Sequence, residues 1–404
     1  MPTALADLLA RRRRTIAGLM SGTSLDGVDA VVVDLDGSGP GVSMEVRGKA
    51  FVPYPDALRE ALLAASLAGT SDVRALSGLG FRLAPVYAEA VEAACADAGI
   101  EVAALDAVGC HGQTVHHVPD PEDVAGEMTA STLQIGSPSA LAVWLGVPVV
   151  ADFRAADVAL GGQGAPLVPY LDFVRFAAPD ETRLLVNLGG IANATVLPAG
   201  CAAADVVAFD TGPANMVSDR LAALFFGVPY DDGGRLAASG TPAAALIAHL
   251  MADPYLQRMP PKSTGRELYD ERFVADLANR AGLDLASATP ATEAQARDLI
   301  ATAIAFSAHA LHDAYRRFIA PIAPVDVVIL SGGGRHNAAL AGAIRDLFGP
   351  IPVRTTDDYG VDGDTKEALL VALLAHETLN GVPANLPRVT GARRPAVLGV
   401  IAQP

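Results

Sequence analysis

A carboxylate set among small hydrogen-bond donors is the first feature of this chain that could do chemistry. Within Gly18-Leu-Met-Ser-Gly-Thr-Ser-Leu-Asp-Gly-Val-Asp29, residues Gly22, Thr23, Ser24, Leu25, Asp26, Gly27, Val28 and Asp29 make a polar turn between two apolar runs. Glycines let backbone N–H groups crowd toward an anion, and hydroxyls add donors. Asp26 among those donors suits phosphates accompanied by a divalent cation. An ordinary polar hairpin turn is the plainer alternative. Gly22 and Gly27 have P-loop spacing, but Val28-Asp29 stands where Lys-Ser/Thr is required. No Gly-x-Gly-x-x-Gly follows a strand pattern, so a dinucleotide fingerprint is absent. An anion site here belongs to a β-hairpin.

Five further segments carry usable groups. Asn187-Leu-Gly-Gly-Ile-Ala-Asn193 is a second glycine-rich hairpin, in which Gly189 and Gly190 either cradle phosphates or make a tight turn. Phe209-Asp210-Thr-Gly-Pro-Ala-Asn215 sets Asp210 at a strand end, where α/β enzymes place their chemistry, or as a helix cap. Ser331-Gly332-Gly333-Gly334 lets the backbone approach a flat ligand such as adenosine; close strand–helix packing would need the same glycines. Cys110-His111-Gly112-Gln113-Thr114 reads as a loop, and no carboxylate or further His/Cys spacing completes a metal site there. His111 and Gln113 are therefore read as substrate hydrogen-bonding groups. Arg154, between Asp152 and Asp157, is either a substrate ligand or a salt-bridge partner.

The elements that must position these groups come in two similar series. Apolar runs predict strands over 15–20, 28–34 and 43–51, helices within 56–98, a strand over 102–110, a helix over 136–145 and a strand over 148–151. The series then restarts, with strands over 183–186, 194–197 and 206–209, a long helix over 292–318, a strand over 325–330 and a helix from Ala338. A strand–glycine turn–strand–strand opening in both halves suggests a duplicated α/β unit. Gly161-Gly-Gln-Gly-Ala-Pro166 is the strongest linker signal and marks a hinge. The expected division is an N-terminal extension 1–14, a first domain 15–160 to which 386–404 returns, and a second domain 161–385.

At 404 residues, about half of them apolar, the chain is long enough for two cores. A formal net charge of -16 argues against nucleic acid and anionic membrane as partners. Lys49, Lys262 and Lys366 are the only lysines, so an anion site must rely on backbone donors, arginine and metal. Three scattered cysteines show no disulfide or zinc spacing and suit a reducing cytoplasm. Arg11–Arg14 precede an apolar stretch too short for an export signal, and no apolar run reaches membrane-spanning length. The first ten residues are expected as a frayed helix or tail.

Taken in order, these segments resemble the anhydro-N-acetylmuramic acid kinases. Further matching pieces are Gly-Gly-Gln-Gly-Ala-Pro-Leu-Val-Pro at 161–169, Pro-Pro-Lys-Ser-Thr-Gly-Arg-Glu at 260–267 and Lys-Glu-Ala at 366–368. The likeness covers nearly all of the chain beyond residue 14; Ala214 departs from it where glycine is expected. The resemblance implies a two-domain actin/hexokinase-like (ribonuclease H-like) α/β fold with duplicated mixed-sheet units and an interdomain ATP cleft. It implies ATP-dependent opening of 1,6-anhydro-N-acetylmuramic acid by water, giving N-acetylmuramic acid 6-phosphate and ADP in cell-wall recycling. Asp210 matches the family's base, residues 22–29 the phosphate hairpin, and Asp26 or Asp29 would lie near Mg²⁺, Asp26 being preferred and acting through water. Glu367 matches a carboxylate near the sugar, and a homodimer is plausible. A sensing protein without catalysis and another ATP-dependent sugar kinase are the competing readings.

Overall fold

A computed structural model describes residues 5–22, 24–67, 69–265, 268–283 and 292–404. Thr23, Arg266 and Glu267 lie outside the described residues. The chain divides into two units, residues 1–175 with 365–404 and residues 176–364.

Short runs rich in apolar residues make the strands of the first unit. They are β1 (Arg13–Ser21), β2 (Gly27–Asp36), β3 (Ser43–Pro53), β4 (Ala107–Val124), β5 (Glu127–Ile135) and β6 (Val149–Ala151). Val28, Ala30, Val31, Val32, Val33 and Leu35 are all buried, as a strand covered on both faces requires. The sheet runs from the C-terminal strand Val400–Ala402 through β6, β4, β1 and β2 to β3, with β5 beside β4. β1 is antiparallel to β2 and parallel to β4, which is parallel to β6. Helix Val73–Ala98 starts on the Asp72 cap, ends at left-handed Gly99 and packs on β2 and β3. Helix Lys366–Asn380 packs on β1, β2 and β4.

The second unit repeats this connectivity. Its strands are β7 (Arg183–Leu188), β8 (Ile191–Leu197), β9 (Val207–Pro213), β10 (Val327–Ser331) and β11 (Val353–Thr355), ordered β11-β10-β7-β8-β9. β7 is antiparallel to β8 and parallel to β10, which is parallel to β11. β1, β2, β3, β4 and β6 thus correspond to β7 through β11, the duplicated mixed α/β arrangement that the restarting pattern suggested. Helix Glu293–Ala314 begins with a reciprocal Thr292–Gln295 cap and packs against helices Met216–Phe226 and Ala338–Phe348.

Three expectations change. The segment His111–Thr114 is strand, not loop: β4 continues through it, pairing with β5 from Gln113 and Thr114 onward. Its polar composition hid a hairpin arm. The unit boundary falls at Arg175/Phe176 rather than 160/161, and the return is at Thr365 rather than 386. Residues 161–164 are folded onto buried Asp157, whose carboxylate accepts from Gly164 N–H (2.8 Å), Asn385 Nδ2 (2.7 Å) and Thr390 Oγ1 (2.7 Å). A side chain on Gly162 would collide with that carboxylate. Residues 5–10 are helical, and the buried Arg14 guanidinium ties them down through Leu8 O while also donating to Asn380 Oδ1 at 2.8 Å.

Helix Lys366–Asn380 lies hard against the sheet. A Cβ on Gly18 would sit 2.2 Å from Ala368 O, and one on Gly109 would sit 2.6 Å from Val371 O. Neither obstacle is a flexible side chain. Gly18→Ala or Gly109→Ala should therefore each cost about 3 kcal/mol, lowering Tm by roughly 6–12 °C in thermal melts. Gly78→Ala, in an exposed helical position with nothing within 4 Å, should raise Tm instead. Unchanged melting of both packed variants would contradict the contact.

Candidate active site

In the first unit, the β1–β2 turn is tied to the β4 arm. Gln113 Nε2 donates to Gly22 O (3.0 Å), and Tyr54 Oη donates to Gln113 Oε1 (3.3 Å). Gln113 is fully buried, so its amide shapes the turn from behind. Ser21 Oγ donates to Gly112 O (3.1 Å), and Leu25 takes positive φ (56°) to close the turn. Ser24 Oγ donates to Asp26 Oδ1 (2.7 Å) at the exposed tip. A Cβ on Gly22 would make only ordinary contact with Ser24 (3.7 Å), whereas Gly27 is needed because Val52 O would lie 2.4 Å from a Cβ there. Val28 and Asp29 belong to β2, and Asp29 pairs with Met20.

Behind this turn, His111 is buried and neutral. Its Nδ1 donates to Gly112 O (2.7 Å), and its Nε2 accepts from Arg154 Nε (3.0 Å). Burial and the Arg154 charge push its pKa down to about 3. Arg154 also donates to Gly164 O (2.7 Å). Burial pulls the guanidinium below its ordinary value, against the opposing fields of Glu367 and Asp157. Glu367 stands in the first turn of helix Lys366–Asn380, next to the buried Lys366–Asp172 ion pair (2.5 Å). The surrounding protein pushes the Glu367 carboxyl up, while Arg154 and Lys366 hold it down. Arg154 and His111 thus form a hydrogen-bonded pair that feels the charge of Glu367. Cys110 is an inert core thiol, raised to about 12 by burial. Among the described residues, no group of three His, Cys, Asp or Glu side chains could hold a metal.

In the second unit, the Gly189–Gly190 turn directs its carbonyls into the protein. Gly190 O accepts from Ala214 N–H (2.8 Å) and Met216 N–H (3.2 Å), and Gly189 O from Asn215 N–H (3.0 Å). The turn thereby anchors the start of helix Met216–Phe226. Ala214 is buried without positive φ, so its methyl in place of hydrogen brings no backbone strain. Asp210 lies in β9, opposite Asn193 at a register shift. Its Oδ2 accepts from Thr264 N–H (2.9 Å), its N–H donates to Lys262 O (3.1 Å), and its carbonyl accepts from Tyr255 Oη (2.8 Å). Buried Lys262 stabilises this stretch by donating to Tyr255 O and Leu256 O, with its ammonium 4.8 Å from the Tyr255 ring centre and 5.0 Å from that of Phe318. Burial, aided by Arg317, brings it down to about 8. The support for Asp210 is thus a distant segment, 255–264, to which the sequence reading assigned no role although it quoted part of it.

Gly332 and Gly334 press on the end of β7: their Cβ atoms would lie 2.9 Å from Leu188 O. Gly333 meets nothing within 4 Å and lines a cavity of about 400 Å³ with Asn215, Asp219, Tyr230, His336 and Asn337. Two of the three glycines therefore serve packing, and the third opens the space. Asp219 and Tyr230 were missed; Asp219 follows Asn215 by four residues, one turn along the same helix.

A family model described as anhydro-N-acetylmuramic acid kinase matches residues 14–404. Among the relatives, the anhydro-N-acetylmuramic acid kinase of Salinibacter ruber is 52% identical over 99% of both chains. The enzymes of that name from Bacillus cereus (strain Q1) and Caldanaerobacter subterraneus subsp. tengcongensis are 38% and 39% identical, over 96% and 97% of this chain and 99% and 98% of theirs. Among solved structures, component A of the (R)-2-hydroxyglutaryl-CoA dehydratase from Acidaminococcus fermentans has 14% identity and a TM-score of 0.44, covering 91% of this chain and 99% of its own. That likeness is too distant to bear on activity. With the family match spanning both units and the curated relatives matching end to end, the chain belongs to the anhydro-N-acetylmuramic acid kinase family and is a kinase of that kind.

Proposed function

We propose that the chain opens the 1,6-anhydro bridge of its sugar with water and places the γ-phosphoryl group of ATP on the released 6-oxygen. The products are N-acetylmuramic acid 6-phosphate and ADP. Such a reaction suits recycling of cell-wall sugar in the cytoplasm; no described helix is long and apolar enough to cross a membrane.

The observation that carries this reading is Asp210, a carboxylate on β9 held through one oxygen by a backbone N–H. Ordinary glycosidases pair a base for water with an acid for the leaving oxygen. In this reaction the leaving oxygen is the sugar's own 6-oxygen, and phosphoryl transfer captures it. One base then suffices, and Asp210 orients and deprotonates the water that attacks the anomeric carbon. The Thr264 amide fixes the carboxylate rotamer.

The other roles divide between the units. In the first, residues 22–29 hold phosphate oxygens, while Arg154 and Glu367 read the sugar. His111 positions Arg154 through its neutral Nε2, and Gln113 fixes the phosphate turn. In the second, Gly189 and Gly190 offer phosphate donors, and the cavity beside Gly333 takes the adenosine. The exposed Asp26 carboxylate fits Mg²⁺, which binds through one or two carboxylates together with substrate phosphates and would neutralise charge on the transferring group.

Asp210→Asn should lower kcat by about 10²–10⁴-fold with little change in binding of ATP or sugar, because the isosteric amide removes only proton acceptance. Activity within twofold of wild type would reduce Asp210 to a structural group. The substrate reading is tested by supplying ATP with either the anhydro sugar or free N-acetylmuramic acid. Only the anhydro sugar should give rapid 6-phosphate formation, and without ATP no opened sugar should accumulate. Equal use of the free sugar would indicate an ordinary hydroxyl kinase; binding without turnover would indicate a sensor.

A further inference from the structure

The cavity beside Gly333 contains an acidic group that the proposed chemistry leaves unused. Three aspartates line its wall, but two are engaged. Asp231 is buried and accepts from the N–H groups of Leu236 (2.8 Å) and Ala237 (2.9 Å). Asp232 pairs with Arg235 at 2.5 Å. Asp219 lines the same cavity, half-buried, and among the described residues its carboxylate receives no hydrogen bond.

Its position along the helix narrows what it can meet. Asn215 begins helix Met216–Phe226 and is hydrogen-bonded to the Gly189 carbonyl of the phosphate turn. Asp219 is four residues on, about 6 Å along the axis. A nucleotide with its phosphates at Gly189–Gly190 would therefore present its sugar, not its base, at the level of Asp219. The open face of Gly333 leaves room for the base.

We propose that Asp219 is the ribose reader of this site, accepting hydrogen bonds from the 2′- and 3′-hydroxyls of ATP. The inference rests on the reading that this cavity takes adenosine. A vicinal diol supplies two donors to one carboxylate, and a site built around a hydroxyl discriminates strongly against the analogue lacking it. Burial and the neighbouring Asp231 push the Asp219 carboxyl up to about 7, the behaviour of a carboxylate short of donors.

Steady-state kinetics with ATP and 2′-deoxy-ATP test the assignment. Wild type should favour ATP in kcat/KM by on the order of 10–100-fold. Asp219→Ala should lose a similar factor with ATP, mostly through KM, and treat the two nucleotides nearly alike. Asp219→Ser, with melting curves for both variants, guards against a folding defect and should show the same loss of discrimination. Wild-type use of both nucleotides with equal efficiency, or discrimination retained in folded variants, would overturn the assignment while leaving the adenosine reading intact. Failure of the wild type to use ATP at all would overturn both.

Discussion

Backbone meeting backbone at glycine is the constraint on which both units depend. In the first, Gly18 and Gly109 let helix Lys366–Asn380 lie directly on the central parallel strands. That contact sets the helix start, and with it Glu367, whose charge acts on Arg154. In the second, Gly332 and Gly334 let the end of β10 close on Leu188, immediately before the Gly189–Gly190 turn. In both, a parallel neighbour of the first strand carries its chemical groups at or beyond the point where that strand ends. Glycines at the crossing thus set where the candidate site residues stand at the tips.

Polar groups near the tips are held in defined states by burial and by specific hydrogen-bond partners. His111 is kept neutral, so it accepts from Arg154 and orients a cation without competing with it for an anion. Asp210 has the opposite support, an amide donor from a segment whose buried lysine is surrounded by carbonyls and aromatic rings. The Thr264 amide gives that carboxylate a fixed orientation. This arrangement suits a reaction needing a single base.

Much of this was legible in the sequence because it depends on local pattern. Hairpins bracketing Gly22 and Gly27 or Gly189 and Gly190 follow from apolar runs interrupted by small residues, and the repeated order of elements follows from the same pattern. The polar stretch at His111–Thr114 misled because a strand that leaves the core no longer needs apolar side chains. The glycine-rich 161–164 segment suggested a linker, yet its glycines make room for the buried Asp157 carboxylate, whose other partners lie beyond residue 384. Long-range partners of that kind leave no local trace. The same holds for Thr264 beneath Asp210 and for the cavity wall at Tyr230, supplied by segments with no periodic link to the motifs they serve.

In the proposed reaction, one carboxylate delivers water to the anomeric carbon while phosphoryl transfer captures the 6-oxygen. Turnover in ¹⁸O-labelled water, with rapid sampling to outrun anomeric exchange and mass spectrometry of the product, measures this directly. The proposed reaction should place one label in the anomeric hydroxyl and none in the phosphate ester. Label in the bridging ester oxygen, or an unlabelled anomeric hydroxyl at the earliest times, would contradict it.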